Sequence, residues 1–204
     1  MIRHPKCGRE KSFAIAIAEK SDPLGHFFFA VTTWNLGINV KFYTVNDDYI
    51  KHLKAIDDKV RDNYGTARPY IGVLLEVNGH QYIAPLTSYK AKQDRLKSSS
   101  PTIFKMHEKG DENNKLGMVQ LNNMIPVTTS VITLLDVAAQ NQKYQNLLGL
   151  QLAFLKSNQD KITEKALKLY ELITIKKHPV FCPISCDFVA LEAGCVAFNQ
   201  RNAA

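Results

Sequence analysis

Residues 70–90 read YIGVLLEVNGHQYIAPLTSYK. Tyr70–Val77 is a β-branched and aliphatic run that ends at Asn78-Gly79. Asn-Gly is the strongest short hairpin signal, because both residues tolerate positive φ. Gln81–Pro85 is therefore predicted to return antiparallel beside Tyr70–Val77. Counting outward from the turn puts Arg68-Pro69 and Thr87-Ser88 at the same open end.

The flanking sequence extends this core on both sides. Val40–Val45 (VKFYTV) reads as a strand. Asn46 is a good helix N-cap, followed by Asp47 and Asp48 beside the positive dipole end. Tyr49, Ile50, Leu53 and Ile56 then recur at helical spacing. Asp57–Pro69 is polar, carries Gly65 and Pro69, and reads as a loop. Thr87–Pro101 is expected to be an exposed loop, Ile103–His107 a strand and Glu108–Lys115 a turn region. Leu116–Leu121 and Met124–Val127 read as strands, with Pro126 placing the second at an edge.

Helix dominates after residue 134. One helix carries Leu147, Leu150 and Leu155; a second is predicted to be capped by Asn158 or Asp160. Ile162, Ala166, Leu169, Tyr170 and Ile173 form its apolar stripe, with Lys176–His178 in the last turn and Pro179 as the stop. Residues from 180 onward carry no clear pattern. Strand, helix, several antiparallel strands, then helices is the signature of an α+β domain.

Composition sets the class of partner. The 204 residues carry 26 Lys and Arg against 19 Asp and Glu, a formal net charge of +7, which points to a polyanion. There is no apolar run long enough to span a membrane, so no membrane role is expected. Three of the four cysteines, Cys182, Cys186 and Cys195, lie near His178, but their spacing fits no common zinc pattern. Reduced thiols in a cytoplasmic protein, with no metal and no cofactor, are the expectation.

Residues 1–39 sustain neither a helical nor a strand period. The apolar run Phe13–Ala18 is too short for a signal peptide. A docked arm, a targeting peptide and translated upstream sequence are the three readings, and residues 40–204 are read as a single domain.

The open end of the hairpin gathers a guanidinium (Arg68), two hydroxyls (Thr87, Ser88), Lys90 and nearby tyrosines, Tyr49 and Tyr64. Two readings stand on these residues alone: a solvated loop after a strand, or a phosphate site. In the second, Arg68 grips phosphate oxygens with a planar fork and the hydroxyls donate to them. The tyrosines stack bases. If the phosphate is in RNA, its neighbouring 2′-hydroxyl is a built-in nucleophile, and positioning with charge stabilisation is enough for cleavage. A non-catalytic RNA-binding groove is the alternative. His80 reads as a hairpin residue and His107 as a strand residue; as a pair they are the other source of an acid and a base. No P-loop, dinucleotide fingerprint or Ser-His-Asp spacing is present.

Four stretches carry a family resemblance: KFYTVNDDYIKHLKAIDDKV (41–60), YIGVLLEVNGHQYIAPLTS (70–88), FKMHEKGDENNKLGMVQLNNMIPV (104–127) and QLAFLKSNQDKI (151–162). Together they resemble the endoribonuclease toxins of type III toxin–antitoxin systems, the ToxN/AbiQ/CptN family. The resemblance implies a compact antiparallel sheet packed by helices, similar to the MazF/Kid-type toxin core. It implies a metal-independent ribonuclease that cuts A-rich RNA, cellular or phage mRNA, leaving 2′,3′-cyclic phosphate and 5′-hydroxyl ends. It also implies an RNA antitoxin, a repeated pseudoknot that the toxin processes and that closes a toxin–RNA ring, and a role in abortive infection against phage.

Carried over by position, the family's Thr-Ser pair falls on Thr87 and Ser88, and its catalytic lysine on Arg68. The groove tyrosines fall on Tyr49 and Tyr64, and the lysine after the Thr-Ser pair on Lys90. Tyr89 stands where the family has proline. Arginine has too high a pKa to move protons, so Arg68 is expected to act by its charge. Lys59 and Arg61, in the same loop, are the other candidates for that role. The family's chains start at a strand matching Val40–Thr44, which implies that residues 1–39 are upstream sequence outside the domain.

Overall fold

The computed structural model describes residues 40–62 and 72–203. Residues 1–39, and residues 63–71 with Tyr64 and Arg68, lie outside the described residues. The hairpin is where the sequence placed it. Strands β2 (Gly72–Val77) and β3 (His80–Thr87) pair antiparallel from Val77↔His80 to Gly72↔Pro85. Asn78 and Gly79 turn the chain with φ of 51° and 77°, the geometry that matches the right-handed twist of the strands.

Strand β1 (Phe42–Val45) lies on the far side of β2. It leads through Asn46 into helix α1 (Asp47–Ile56). The Asn46 side chain accepts from the N–H groups of Asp48 (2.8 Å) and Tyr49 (3.2 Å), satisfying two donors that the first turn leaves free. Tyr49, Ile50 and Leu53 are its buried face.

Strands β4 (Ile103–Glu108) and β5 (Asp111–Gln120) form a second hairpin. This corrects the expected turn region at 108–115. The turn is only Lys109-Gly110, and Asp111–Lys115 is strand whose residues are all exposed. No buried face is present there to impose an apolar alternation, so a polar run hides the strand. Beyond β5, a 3₁₀ turn at Leu121–Asn123 leads to β6 (Ile125–Pro126). Both β5 and β6 pair along the same edge of β3, at Leu86–Thr87 and Tyr82–Ile83 respectively. A short β7 (Ile132–Leu134), unforeseen in the sequence, completes a sheet ordered β4-β5-β3-β2-β1-β7, with β6 beside β3.

The helices depart most from expectation. Residues Gln142–Thr174 are one helix, α2, of 33 residues, about 50 Å long at about 1.5 Å per residue. Asn158 and Asp160 cap nothing: they sit mid-helix, where Asn158 Nδ2 donates to Phe154 O (2.9 Å). Lys176–His178 lie past the last turn, and Lys177 takes a φ of 48° as His178 N–H closes on Leu172 O at 2.9 Å. Helix α3 (Phe188–Ala203) occupies the tail that showed no pattern. Asp187 Oδ1 accepts from Ala190 N–H (3.1 Å) at its start. Gly194 lets α3 press on α1, since a Cβ there would meet Ile56 Cδ1 at 2.3 Å.

Leu53, Tyr82, Ile83, Leu121, Leu148 and Phe188 show how β3 serves as the spine of the core, each being at most 1% exposed. Burial of each large aliphatic side chain contributes about 1.5–3 kcal/mol. Among the described residues no helix is long and apolar enough to cross a membrane.

Candidate active site

Thr87 is the last residue of β3, opposite Met118 of β5. The two backbones come unusually close here. Gly117 has a φ of 115°, and a Cβ on it would lie 1.8 Å from Thr87 O. The pairing register with β4 also slips beside Gly117, between Met106 and His107. A glycine at an irregular ladder is therefore what seats β5 against the Thr87–Ser88 backbone.

The expected exposed loop after Thr87 is in part a built element. Ala91–Arg95 forms a 3₁₀ turn that folds Gln93 back under the strand end. Gln93 is only 5% exposed. Its amide nitrogen donates to Thr87 Oγ1 (3.3 Å) and to Ser88 O (3.0 Å). The Thr87 hydroxyl in turn donates to Met118 O at 3.4 Å. Thr87 is thus engaged on both sides. Ser88 is exposed, and its hydroxyl has no partner among the described residues. One hydroxyl is held and the next is presented to solvent.

The segment after this pair carries an ion-paired cluster. Tyr89 Oη donates to Asp94 Oδ2 (2.8 Å), and Lys115 Nζ lies 2.9 Å from both Asp94 oxygens. The Lys115 ammonium also sits 5.2 Å from the centre of the Tyr89 ring. Lys115, then Tyr89, hold the Asp94 carboxyl below the usual range, and the same carboxylate raises Lys115. Lys90, beside them, is exposed.

Thr87 ends β3, and Ser88 and Lys90 follow it as exposed residues. Arg68 and Tyr64 lie outside the described residues. β2 starts at Gly72 opposite Pro85, so the open end of the ladder is at Leu86–Thr87. Tyr49 is a correction. It is 0% exposed, its hydroxyl donates to Pro126 O (2.7 Å), and its ring meets Phe198 edge-on at 5.0 Å. A side chain sealed in the core has no face for a base; its place on the apolar face of α1 decides its role. Lys59 is tied to Asp57, Nζ to Oδ1 at 3.2 Å, and its carbonyl accepts from Asn123 Nδ2 (3.0 Å). No contact among the described residues joins it to Thr87 or Ser88.

The histidines are engaged separately. His107 Nδ1 lies 3.0 Å from Glu108 O, with its ring on Phe154, and His80 Nε2 lies 3.8 Å from Glu192. Among the described residues no group of three or more His, Cys, Asp or Glu is placed to hold a metal ion. Cys186 is fully buried, and burial, with the Asp57 charge, pushes its thiol up to about 12. Gln93, Asp94, Lys115 and Gly117 are the site residues the sequence reading missed. Only Gly117, a glycine inside a strand pattern, carried a signal.

Comparison with known proteins decides the family. Residues 41–195 match the family described as "Toxin ToxN, type III toxin-antitoxin system". The chain belongs to the ToxN toxin family. It is 40% identical over 158 residues to a protein named Endoribonuclease ToxN from Pectobacterium atrosepticum, spanning 75% of this chain and 90% of that one. Endoribonuclease AbiQ from Lactococcus lactis subsp. lactis is 33% identical over 172 residues, spanning 82% and 93%. A solved structure of AbiQ, described as "a lactococcal anti-phage endoribonuclease belonging to the type-III toxin-antitoxin system", superposes with a TM-score of 0.72 at 31% identity, covering 79% of this chain and 98% of its own. Another, described by "selective toxin inhibition by a non-coding RNA pseudoknot", gives 0.68 at 33% identity, covering 79% and 99%. This ToxN-family chain is an endoribonuclease with the α+β fold of those relatives.

Proposed function

We propose that this endoribonuclease cuts A-rich cellular or phage mRNA by attack of the substrate's own 2′-hydroxyl, at the Thr87–Ser88 end of the β2–β3 hairpin. The observation that carries the reading is the exposed Ser88 hydroxyl beside a Thr87 locked by buried Gln93. The 2′-oxygen bonds to phosphorus, the bond from phosphorus to the 5′-oxygen breaks, and the products are a 2′,3′-cyclic phosphate and a 5′-hydroxyl. A base takes the 2′-proton and an acid protonates the leaving 5′-oxygen. Ser88 donates to a non-bridging oxygen, and Arg68 balances the growing charge without moving protons. Lys90 and Tyr64 seat the strand. The groups around Ser88 are hydroxyls and cations, and Asp94 is taken by Lys115 and Tyr89. That chemistry supports charge stabilisation without a metal.

The reading extends to partners through the relatives. The chain takes a repeated RNA pseudoknot as antitoxin, processes it, and is inhibited by it in a closed toxin–RNA ring, in the cytoplasm, as part of abortive infection. The antiparallel sheet packed by helices supports kinship with the MazF/Kid-type core. The family match begins at residue 41, which supports residues 1–39 as sequence outside the ribonuclease domain.

The test is cleavage of an A-rich RNA in EDTA by the chain and by Ser88→Ala. The parent should cut, leaving 2′,3′-cyclic phosphate, and the variant should lose at least about 100-fold in rate, the scale of one lost transition-state donor. Cleavage that requires added metal, or 3′-hydroxyl products, would overturn the mechanism.

A further inference from the structure

A second concentration of positive charge lies away from Ser88. Lys161, Lys165 and Lys168 share one face of α2 and rim a cleft of about 330 Å³ facing the Ser99–Pro101 loop. Leu172 and Phe181 form part of its wall. Glu164 also lines it, one carboxylate among three ammonium groups. Lys161 and Lys168 are exposed and have no ion-pair partner among the described residues. Lys165 is half-buried, its ammonium 5.4 Å from the centre of the Phe104 ring, and burial, then the Lys168 charge, pulls its pKa down.

One segment connects this cleft to Ser88. Residues 88–101 leave the strand end, pass through the Gln93 turn and reach α2, where Lys165 Nζ donates to Ser98 O at 2.7 Å. The segment carries Lys90, Lys92, Arg95 and Lys97, all exposed. Positive charge therefore runs from the hairpin end to the α2 cleft, and the cleft adds an aromatic wall. Cations for the backbone beside an aromatic face for a base are what a single-stranded nucleic acid requires.

We propose that the Lys161–Lys165–Lys168 cleft is a second RNA-binding surface, holding phosphates and an unstacked base of a strand that runs past Ser88. It rests on the ribonuclease reading only for the direction of that strand. An acidic protein segment matches the charge, but it leaves unused both the Phe181 wall and the continuity with the Ser88 site.

The experiment uses a labelled A-rich RNA with 2′-O-methyl sugars, long enough to span both places. With its 2′-oxygens blocked, it stays whole if the substrate's own 2′-hydroxyl is the nucleophile. Binding is followed against salt for the parent chain, for Lys161→Gln/Lys168→Gln, and for Lys41→Gln/Lys51→Gln, which removes equal charge from exposed positions elsewhere. Lys165 is kept because it anchors Ser98. Each lost phosphate contact flattens the plot of log affinity against log salt by about 0.7, so the cleft variant should be shallower by about 1.4 and the control unchanged. Equal slopes in all three proteins overturn the proposal. So does RNA binding that survives in the cleft variant while its binding to poly-glutamate is lost, which assigns the cleft to an acidic protein. Cutting of the 2′-O-methyl strand overturns the 2′-hydroxyl mechanism alone; the slopes still judge the cleft.

Discussion

Gln93 divides the labour between two adjacent hydroxyls. Its amide donates to Thr87 Oγ1 and Ser88 O, while Thr87 donates to Met118 O. Thr87 is held by the fold and the Ser88 hydroxyl is left exposed; in the proposed mechanism it is Ser88 that meets substrate. Gln93→Leu keeps the volume and removes both bonds, leaving the Ser88 carbonyl free to turn. The expected outcome is a kcat about tenfold lower, equivalent to about 1.4 kcal/mol, with KM little changed, measured in steady-state cleavage of A-rich RNA. An equal rise in KM with kcat intact would show that Gln93 serves binding and not the orientation of Ser88. The Thr87-Ser88 pair was legible because an Asn-Gly turn fixes register, and register fixes which residues share an end. Gln93 was not legible, because its role arises when a polar loop folds back, which no periodicity encodes. Tyr49 was misread for a related reason. An aromatic on a helix face serves the core or a groove, and only the packing of Phe198 and Pro126 around it decides.

At the scale of elements, the site depends on how tightly β5 lies against the end of β3. Gly117→Ala places a Cβ 1.8 Å from Thr87 O at a φ of 115°. The obstacle is backbone, so the strands must part. The expected result is a loss of roughly 2–4 kcal/mol in denaturant unfolding, from backbone strain and broken ladder bonds. Cleavage should be lost even under conditions where the variant is folded, because Thr87 and Ser88 move with the strand. A folded, fully active Gly117→Ala chain would show that the close approach is dispensable. Elements with an apolar signal were readable: β2 and β3 as apolar runs joined by Asn-Gly, and α1 by recurrence at helical spacing. Those without one were not. The exposed start of β5 looked like a turn, and Asn158 or Asp160 looked like a helix cap, although the helix continues through both. Helix α3 is apolar on several sides, with Val189 and Val196 about half exposed, so no stripe marked it.

At the scale of the described domain, one carboxylate away from the site ties strand to helices. Glu192 of α3 accepts from Tyr82 of β3 (2.7 Å) and from Tyr170 of α2 (3.0 Å), and His80 lies 3.8 Å away. Asn78 of the hairpin turn donates to Tyr170 Oη at 3.3 Å. Strand β3 and helices α2 and α3 meet there. Burial, then the bond to Glu192, raises the Tyr82 phenol far above its ordinary value, and burial raises Tyr170 too. A group whose folded pKa is raised contributes stability that is complete below the unfolded value, about 10 for tyrosine. Above that pH the unfolded chain ionises and the folded one does not, so stability falls as pH rises. At pH 11 the loss from Tyr82 alone is about 1.4 kcal/mol. Tyr82→Phe should be less stable than the parent near neutral pH by about 1–2 kcal/mol, for the lost bond to a charged acceptor. It should also lose less between pH 8 and 11, so the two curves converge in denaturant unfolding. Parallel curves would mean that Tyr82 ionises as readily in the folded chain as in the unfolded one, and that Glu192 holds the layers through Tyr170 alone.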